Sequence, residues 1–222
     1  MPYRFERIEP HKTAMIVVDM ENDFVADGAK LQSKQAHAMV PKLAETLRFC
    51  RQQGIRVIYT AHVHRADGCD MGLYDDLYSP IADRSSLVDG SPGVEIYREL
   101  APEPGEHVIK KHRYSAFFAT DMDLILREWG ITSVVISGTT TENCCHATAR
   151  DAMFHNYKVA FLSDATGTFD YPDVGCGSMS AAEVHKATLT ILAFSTAHVM
   201  TVAEFRELAG DRAERPVQAL AA

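Results

Sequence analysis

The sequence has no apolar run near the roughly 18–20 residues that a membrane-spanning helix needs. Its first residues, MPYRFERIEPHK, also lack the apolar centre of a secretory signal. Basic residues are in the minority, because 22 Lys and Arg face 30 Asp and Glu and leave a formal net charge of −8. That charge argues against nucleic acid or an anionic membrane as the main partner.

Paired cysteines, repeats and low-complexity segments are missing as well. The five cysteines are an odd number without paired spacing, which favours a reducing compartment, and we expect a cytoplasmic protein. No G-x-G-x-x-G pattern occurs, which argues against dinucleotide binding. The 222 residues, 46% of them hydrophobic, predict a single globular domain over residues 1–222.

Short β-rich runs alternate along the chain with longer helical patterns, and this alternation indicates an α/β protein. The predicted strands are residues 13–19, 55–61, 106–110, 131–137, 157–163 and 198–201; the predicted helices are residues 33–53, 120–129, 143–156 and 180–194, with a helical tail. We expect a three-layer α/β/α Rossmann-like fold with a six-stranded, mostly parallel sheet. Residues 65–104, polar and rich in Gly and Pro, are predicted to form a long loop that covers a site or an interface.

The most informative stretch is S-G-T-T-T-E-N-C-C, residues 137–145, between a predicted strand and a predicted helix. It places Cys144 in the first turn of that helix, at the carboxyl edge of the sheet. The partial positive charge of a helix amino terminus favours thiolate over thiol there. Cys144 is therefore a candidate nucleophile, whereas its neighbour Cys145 points elsewhere and is expected to pack in the core.

Two charged residues end other predicted strands. Asp19 ends the first, and Lys111 follows the third. If these strands are neighbours of the strand before Cys144, the three side chains converge in one crevice. Asp23 is the competing carboxylate, and Lys110 is the competing amine, since only one of two adjacent strand residues can face the crevice.

Four segments together resemble the isochorismatase-like cysteine hydrolases over nearly the whole chain. They are VVDMENDF, VIKKHRYSAFFATDMDLILRE, VVISGTTTENCCHATARDA and the strand end SDAT. The resemblance implies an Asp-Lys-Cys triad of Asp19, Lys111 and Cys144, with Lys111 chosen over Lys110 by the K-x-R-Y-S pattern. It also implies a cis peptide bond between Thr139 and Thr140.

That resemblance implies nucleophilic hydrolysis of an amide. Asp19 would take the thiol proton of Cys144, a thioester would form, and water would cleave it. The backbone N–H groups of Thr140 and Cys144 would form the oxyanion hole. Lys111 would favour the thiolate and keep Asp19 ionised. No metal and no organic cofactor is required, and the family implies a homodimer or homotetramer.

The substrate remains a matter of resemblance. A wider set of segments, HVHRxDGxDMG, GSPGVEIYREL, IKKHRYSAFF and GTTTENCC, looks most like biuret hydrolase and the ureidoacrylate and N-carbamoylsarcosine amidohydrolases. This resemblance favours a small ureido or carbamoyl amide. A nicotinamidase-like or other simple amidase with the same triad is the first alternative. The second is a non-catalytic binding or assembly domain, which the intact triad disfavours.

Residues that bind the substrate are harder to choose. Phe24, Phe118 and Tyr74 are candidates for the pocket wall, since small-molecule sites are mostly apolar, although ordinary core packing is an equal alternative. Thr139 and Thr140 are candidates because they precede the cysteine.

His62 and His64 form an H-x-H pair at the end of the second predicted strand. Such spacing can bind zinc, and nicotinamidases of the family place metal ligands nearby. This chain does not reproduce their pattern, so both residues are predicted to line the crevice or a loop instead. His185 is expected to be a structural or interface residue.

Overall fold

A computed structural model describes residues 4–77 and 79–210 of the chain. It contains a six-stranded sheet in the order β3-β2-β1-β4-β5-β6, in which every pairing is parallel. The strands are β1 (Thr13–Val18), β2 (Arg56–His62), β3 (His107–Lys111), β4 (Ser133–Thr139), β5 (Lys158–Gly167) and β6 (His198–Met200). The predicted α/β fold is confirmed. The strand order reverses between β1 and β4, the position where open parallel sheets bind their ligands.

Helices cover both faces of this sheet. They are α1 (Asn22–Val25), α2 (Lys34–Gln53), α3 (Tyr74–Leu77), α4 (Ser79–Ala82), α5 (Met122–Glu128), α6 (His146–Phe154), α7 (Ala181–Ser195) and α8 (Val202–Ala209). Among residues 4–77 and 79–210, none of these helices is both long and apolar enough to cross a membrane. The predicted loop over residues 65–104 is more ordered than expected, because it contains α3, α4 and two 3-10 turns, Pro92–Val94 and Arg98–Leu100.

The helical tail predicted after β6 is present as α8. Residues 211–222, the rest of that tail, lie outside the described residues, and so do residues 1–3 of the predicted domain. The prediction that residues 1–222 form one domain therefore stays a prediction.

Local sequence signals fix where the helices begin and end. The Ser33 hydroxyl accepts a hydrogen bond from the Ala36 N–H at 3.1 Å and starts α2, and Gly54, with φ 74°, ends it. Ser180 and Glu183 form a capping box at the start of α7. These caps satisfy backbone groups that the helices leave without partners.

Alternate residues of the central strand β1 supply two separate apolar layers. Met15 and Val17 pack on the side of α2 and α8, whereas Ala14, Ile16 and Val18 pack on the side of α5 and α6. All six residues of β1 are buried. Burial on both faces explains why this strand is an almost unbroken apolar run.

Gly138 allows β4 to lie close to β1 just before the candidate nucleophile. Its φ is 114°, and a Cβ atom at this position would lie 2.0 Å from the carbonyl oxygen of Val18. Only glycine tolerates both the dihedral angle and the close approach. The carboxyl ends of β1 and β4 are thereby held together, and Asp19 and Cys144 follow those ends.

Candidate active site

The three residues predicted to form a triad meet at the carboxyl edge of the sheet. The Lys111 Nζ atom lies 2.7 Å from Asp19 Oδ2 and 3.4 Å from Cys144 Sγ. Asp19 and Lys111 are fully buried, and Cys144 is nearly so. An acid, an amine and a thiol from three distant parts of the chain thus share one water-poor site.

Lys111 reaches this site from a strand that is not adjacent to β1. Strand β2 lies between β3 and β1, so the three side chains converge although β3 is not a direct neighbour of β1 or β4. Two strand spacings of about 4.8 Å separate β3 from β1, and the long side chain of Lys111 crosses the end of β2. It also donates a hydrogen bond to the Arg113 carbonyl oxygen at 3.0 Å.

Strand alternation separates Lys111 from its competitor. Lys110 points to the opposite face, is exposed, and donates to Asp89 Oδ1 at 2.6 Å. Asp23 is likewise engaged elsewhere, because its Oδ2 atom accepts the Leu87 N–H at 2.6 Å. The geometry therefore brings Asp19 and Lys111, and neither alternative, to the cysteine.

Asp19 is oriented by its own backbone and by a neighbouring threonine. Its φ of 49° turns the chain as it leaves β1. The Asp19 N–H donates to the Thr60 carbonyl oxygen at 3.2 Å, and the Thr60 hydroxyl donates to Asp19 Oδ1 at 2.5 Å. One carboxylate oxygen thus faces Thr60 on β2, and the other faces Lys111.

A short turn of π-helix, Thr141–Cys145, joins β4 to α6 and carries Cys144. The peptide bond between Thr139 and Thr140 is cis, as the resemblance implied. Cys144 therefore lies in a π turn just before α6, whereas the sequence placed it in the first turn of that helix. Cys145 is fully buried in the core, as expected.

His185 on α7 supports this turn. Its Nε2 atom lies 2.8 Å from the Ser163 carbonyl oxygen, which can only accept, so Nε2 is the donor. Its Nδ1 atom then accepts the Thr141 hydroxyl proton at 2.9 Å. The expectation of a structural role for His185 is confirmed, but its contact with the cysteine turn has no signal in the sequence.

Burial controls the charge of the cysteine. It raises the pKa of the Cys144 thiol well above its ordinary value, and the positive charge of Lys111 only partly opposes this rise. Burial therefore opposes the effect of the helix amino terminus, which is expected to favour the thiolate. A neutral thiol needs a base, and Asp19 is adjacent.

Lys111 stays charged for a complementary reason. Burial disfavours its ammonium form, yet the negative charge of Asp19 outweighs that effect and raises the pKa of Lys111. A second carboxyl group beside this pair behaves in the opposite way. Burial, together with the charge of Asp19, raises the pKa of Glu21 well above its ordinary value and favours its protonated form.

Above Cys144 lies a cavity of about 430 Å³, including its mouth. Its walls are mainly Phe24, Leu31, Ile81, Leu87 and Phe169; Tyr74 and Tyr114 also line it. His62, Thr140 and Asn143 bring polar groups to it. A largely apolar lining with a few polar groups is typical of small-molecule sites.

Predicted pocket residues divide into two groups. Phe24, Tyr74 and Thr140 line the cavity. Phe118 does not, because it is 60% exposed, so its predicted place in the pocket is wrong. Thr139 is also corrected: its side chain is fully buried, and its hydroxyl donates to the Gly167 carbonyl oxygen at 3.1 Å on the neighbouring strand.

Sequence reasoning passed over a polar group at one wall of the cavity. The Asn143 side-chain N–H donates to the Tyr171 hydroxyl oxygen at 3.0 Å, and that hydroxyl donates to Glu142 Oε1 at 2.7 Å. Asn143 and Glu142 lie inside the matched segment T-T-T-E-N-C-C, which was a usable signal. Tyr171 lies beyond β5, outside every matched segment.

Two groups of side chains have the donor atoms to hold a cation. The first is Asp19, His62 and Cys144. The Lys111 ammonium already neutralises its carboxylate and disfavours a second positive charge there.

The second group is His64, Asp70 and His112. Here the His112 Nδ1 atom donates to the Val63 carbonyl oxygen at 2.6 Å, and the Asp70 carboxylate accepts the Arg65 N–H at 3.1 Å. Hydrogen bonds thus engage part of each group, and the predicted absence of a metal stays a prediction.

The sequence matches a known protein family. Residues 13–204 match the family model described as the isochorismatase domain. The chain belongs to the isochorismatase family. It is accordingly a hydrolase of that family, as the four sequence segments predicted.

Relatives of this isochorismatase-family hydrolase carry several activities in their names. A probable inactive nicotinamidase of Arabidopsis thaliana is 35% identical over 156 residues, 69% of this chain and 80% of that protein. Nicotinamidase 3 of the same plant is 29% identical over 209 residues, 92% and 93% respectively. The ureidoacrylate amidohydrolase RutB of Agrobacterium fabrum is 32% identical over 185 residues, 75% and 81% respectively.

Solved structures of the family are similar as well. A cysteine hydrolase from Pseudomonas syringae pv. phaseolicola has a TM-score of 0.90 and 37% identity, covering 94% of this chain and 97% of its own. An N-carbamoylsarcosine amidase from Thermoplasma acidophilum has a TM-score of 0.67 and 28% identity, covering 86% and 96%. The family and the fold follow from these matches, whereas the substrate does not.

Replacing Glu21 with Gln tests whether the buried carboxyl is protonated. Above the ordinary pKa of 4.5, the folded protein keeps a proton that the unfolded chain has lost. The contribution of Glu21 to the free energy of unfolding therefore falls as pH rises toward its folded pKa, by up to about 1.4 kcal/mol per pH unit. The melting temperature of Glu21→Gln should therefore rise relative to that of wild type as the pH is raised from about 5 to about 8.

Gln retains an acceptor for the His62 backbone N–H, which lies 3.1 Å from Glu21 Oε2. The exposed Glu128, changed to Gln, is the matched control and should not show this trend. A difference in melting temperature between wild type and Glu21→Gln that does not change with pH would contradict a protonated Glu21.

Proposed function

We propose that this protein is a cysteine amidohydrolase that cleaves a C–N bond of a small ureido or carbamoyl amide and releases ammonia or an amine. The observation that carries the proposal is the contact of Lys111 with both Asp19 and Cys144 at the base of the cavity. Here Cys144 is the nucleophile, Asp19 the general base and acid, and Lys111 the electrostatic partner of both.

The first half of the reaction forms a thioester. Asp19 takes the proton of the Cys144 thiol, which burial keeps neutral at rest, and the sulfur attacks the amide carbonyl carbon. The N–H groups of Thr140 and Cys144 stabilise the oxyanion that forms. Asp19 then returns the proton to the leaving nitrogen as the C–N bond breaks.

The second half consumes one water molecule. Asp19 removes a proton from water, and the resulting hydroxide attacks the thioester carbonyl carbon. The C–S bond breaks, the acid product leaves, and Cys144 recovers its proton through Asp19. Because Lys111 stays charged throughout, it stabilises the transient thiolate and limits the rise that burial imposes on the pKa of Cys144.

The ureido class is supported by two of the similar proteins and by the cavity. The printed names of RutB and of the Thermoplasma enzyme refer to a ureido and a carbamoyl compound. The cavity also has polar groups, those of His62, Thr140 and Asn143, close to the cysteine end. A ureide, which has several N–H and C=O groups in a small volume, complements such a lining.

A nicotinamidase-like activity is the second candidate function. It is favoured by the similarity to Nicotinamidase 3 over 92% of the chain and by the aromatic side chains of Phe24 and Phe169 in the wall. A non-catalytic role is the third, because one relative is named as inactive. The predicted homo-oligomer and the cytoplasmic location stay predictions.

Ammonia release from a panel of amides separates these candidates. We expect turnover of biuret or an N-carbamoyl amino acid, less of nicotinamide, and none of any of them by Cys144→Ala. That variant should melt close to wild type, because it removes only one sulfur atom. Turnover of nicotinamide with no linear ureide cleaved would contradict the ureido class, and a fully active Cys144→Ala would contradict cysteine catalysis.

Changing Lys111 to Met tests whether catalysis needs the charge of Lys111, and Lys110→Met is the matched control. Loss of its charge should lower kcat/KM by roughly 1,000-fold or more, whereas Lys110→Met on the exposed face of β3 should be close to wild type. The variant leaves the Asp19 carboxylate buried without its partner, at a cost of about 3–5 kcal/mol of folding free energy.

The double variant Asp19→Asn with Lys111→Met distinguishes misfolding from lost chemistry. Since it buries no unpaired charge, its melting temperature should recover while its kcat/KM stays low. A melting temperature that stays as low as that of Lys111→Met would contradict an unpaired buried charge as the cause of its instability.

A further inference from the structure

His62 supplies an unexplained polar atom in the wall of the cavity. The residue is only 2% exposed, and it lines the space above Cys144. Its Nε2 atom is buried and has no hydrogen-bond partner among the residues that the structure describes. Because an unpartnered buried nitrogen costs free energy, such an atom points to a partner that arrives with a ligand.

The ring of His62 is held firmly by its surroundings. Tyr74 packs edge-on against it at 5.6 Å between ring centroids, and Tyr114 does so at 6.5 Å. The ring of His64 lies 5.1 Å away, tilted by 52°. On the backbone, the His62 N–H donates to Glu21 at 3.1 Å. A ring fixed in this way is preorganised for a directional contact.

His62 is also close to the reacting atoms. One of its ring nitrogens, a carboxylate oxygen of Asp19 and the Cys144 sulfur all lie within 4.8 Å of one another. When the carbonyl carbon of a substrate bonds to that sulfur, an atom next to this carbon has room to lie within hydrogen-bonding distance of the ring.

A metal ion is a disfavoured partner for the ring. The Lys111 ammonium lies 2.7 Å from Asp19 and already occupies the electrostatic place that a metal ion would take. Burial, and then the charge of Lys111, lowers the pKa of His62 well below its ordinary value. The ring is therefore neutral near pH 7 and offers one N–H donor and one lone pair.

We propose that His62 is a specificity-determining residue whose neutral ring hydrogen-bonds the polar group that a ureide carries beyond its scissile carbonyl. The contact selects ureides over alkyl amides of equal length in a cavity whose other walls are mostly apolar. This inference rests on the proposed function and adds the residue that chooses its substrate class.

Biuret and butyramide test the proposal, because they have equal chain length and butyramide has no polar group beyond its carboxamide. The value of kcat/KM is measured for biuret, and butyramide is measured as a competitor, so that its affinity is read whether or not it is cleaved. His62→Phe should lower kcat/KM for biuret by roughly 10- to 100-fold and leave butyramide binding equal or tighter. His62→Gln, which keeps a donor and an acceptor, should recover part of the loss.

His64→Phe is the matched control, since that histidine is equally buried and is not among the residues that line the cavity. In His64→Phe, the ratio of kcat/KM for biuret to the affinity for butyramide should match that of wild type. His62→Leu repeats the test if the larger ring of Phe lowers the melting temperature.

Several results would overturn the proposal. One is an equal loss for both ligands, and another is His62→Gln behaving like His62→Phe at equal stability. Zinc bound stoichiometrically in wild type and lost from His62→Phe would assign the ring to a metal instead. If wild type cleaves no ureide, the ureido class fails and this inference with it. If wild type cleaves ureides and His62→Phe leaves the ratio of biuret kcat/KM to butyramide affinity unchanged, only the role of His62 is contradicted and the proposed function stands.

Discussion

A buried ion pair between Lys111 and Asp19 is the interaction on which the site depends. The two side chains are fully buried and lie 2.7 Å apart, although their strands are separated by β2. Neither charge is tolerable there without the other, since removing one partner of a buried pair costs about 3–5 kcal/mol. The pair therefore fixes the carboxyl ends of β1 and β3 relative to each other, and it sets the field in which Cys144 works.

The fold also places the other residues of the site close to this ion pair. Gly138 brings β4 against β1, and the π turn after β4 carries Cys144 to within 3.4 Å of Lys111. Burial raises the pKa values of the Cys144 thiol and of Glu21, which favours the uncharged form of each beside the Lys111–Asp19 ion pair. In the proposed mechanism the negative charge moves from Asp19 to the sulfur when Asp19 takes the thiol proton, and Lys111 stays beside it.

Much of the fold follows from local patterns. The alternating apolar runs predicted six strands because each strand is buried on both faces, and Gly54 and Ser180 marked helix ends through ordinary capping chemistry. Strand order is different, because it depends on how helices pack between strands. The sequence therefore allowed β1 and β3 to be neighbours, and the structure separates them by β2.

The site likewise has features that sequence motifs predict and features that only the folded chain defines. Asp19, Lys111 and Cys144 could be chosen from motifs, since they lie in segments that the family shares. The state of the thiol could not, because it is set by burial, which only the folded chain defines. Nor could the lining of the cavity: Phe118 lies in a matched segment and is exposed, whereas Leu87 and Phe169 lie outside every motif and form the wall.

The most direct test of a cysteine hydrolase mechanism is the mass of the protein during turnover. Acid quenching of wild type with a cleaved amide, followed by intact-mass and peptide analysis, should show an acyl group on Cys144 that disappears when the substrate is exhausted. The mass of that group identifies the acyl part of the substrate. Steady turnover with no adduct on Cys144, under conditions in which attack on the thioester is slowed, or an adduct on another residue, would contradict the account.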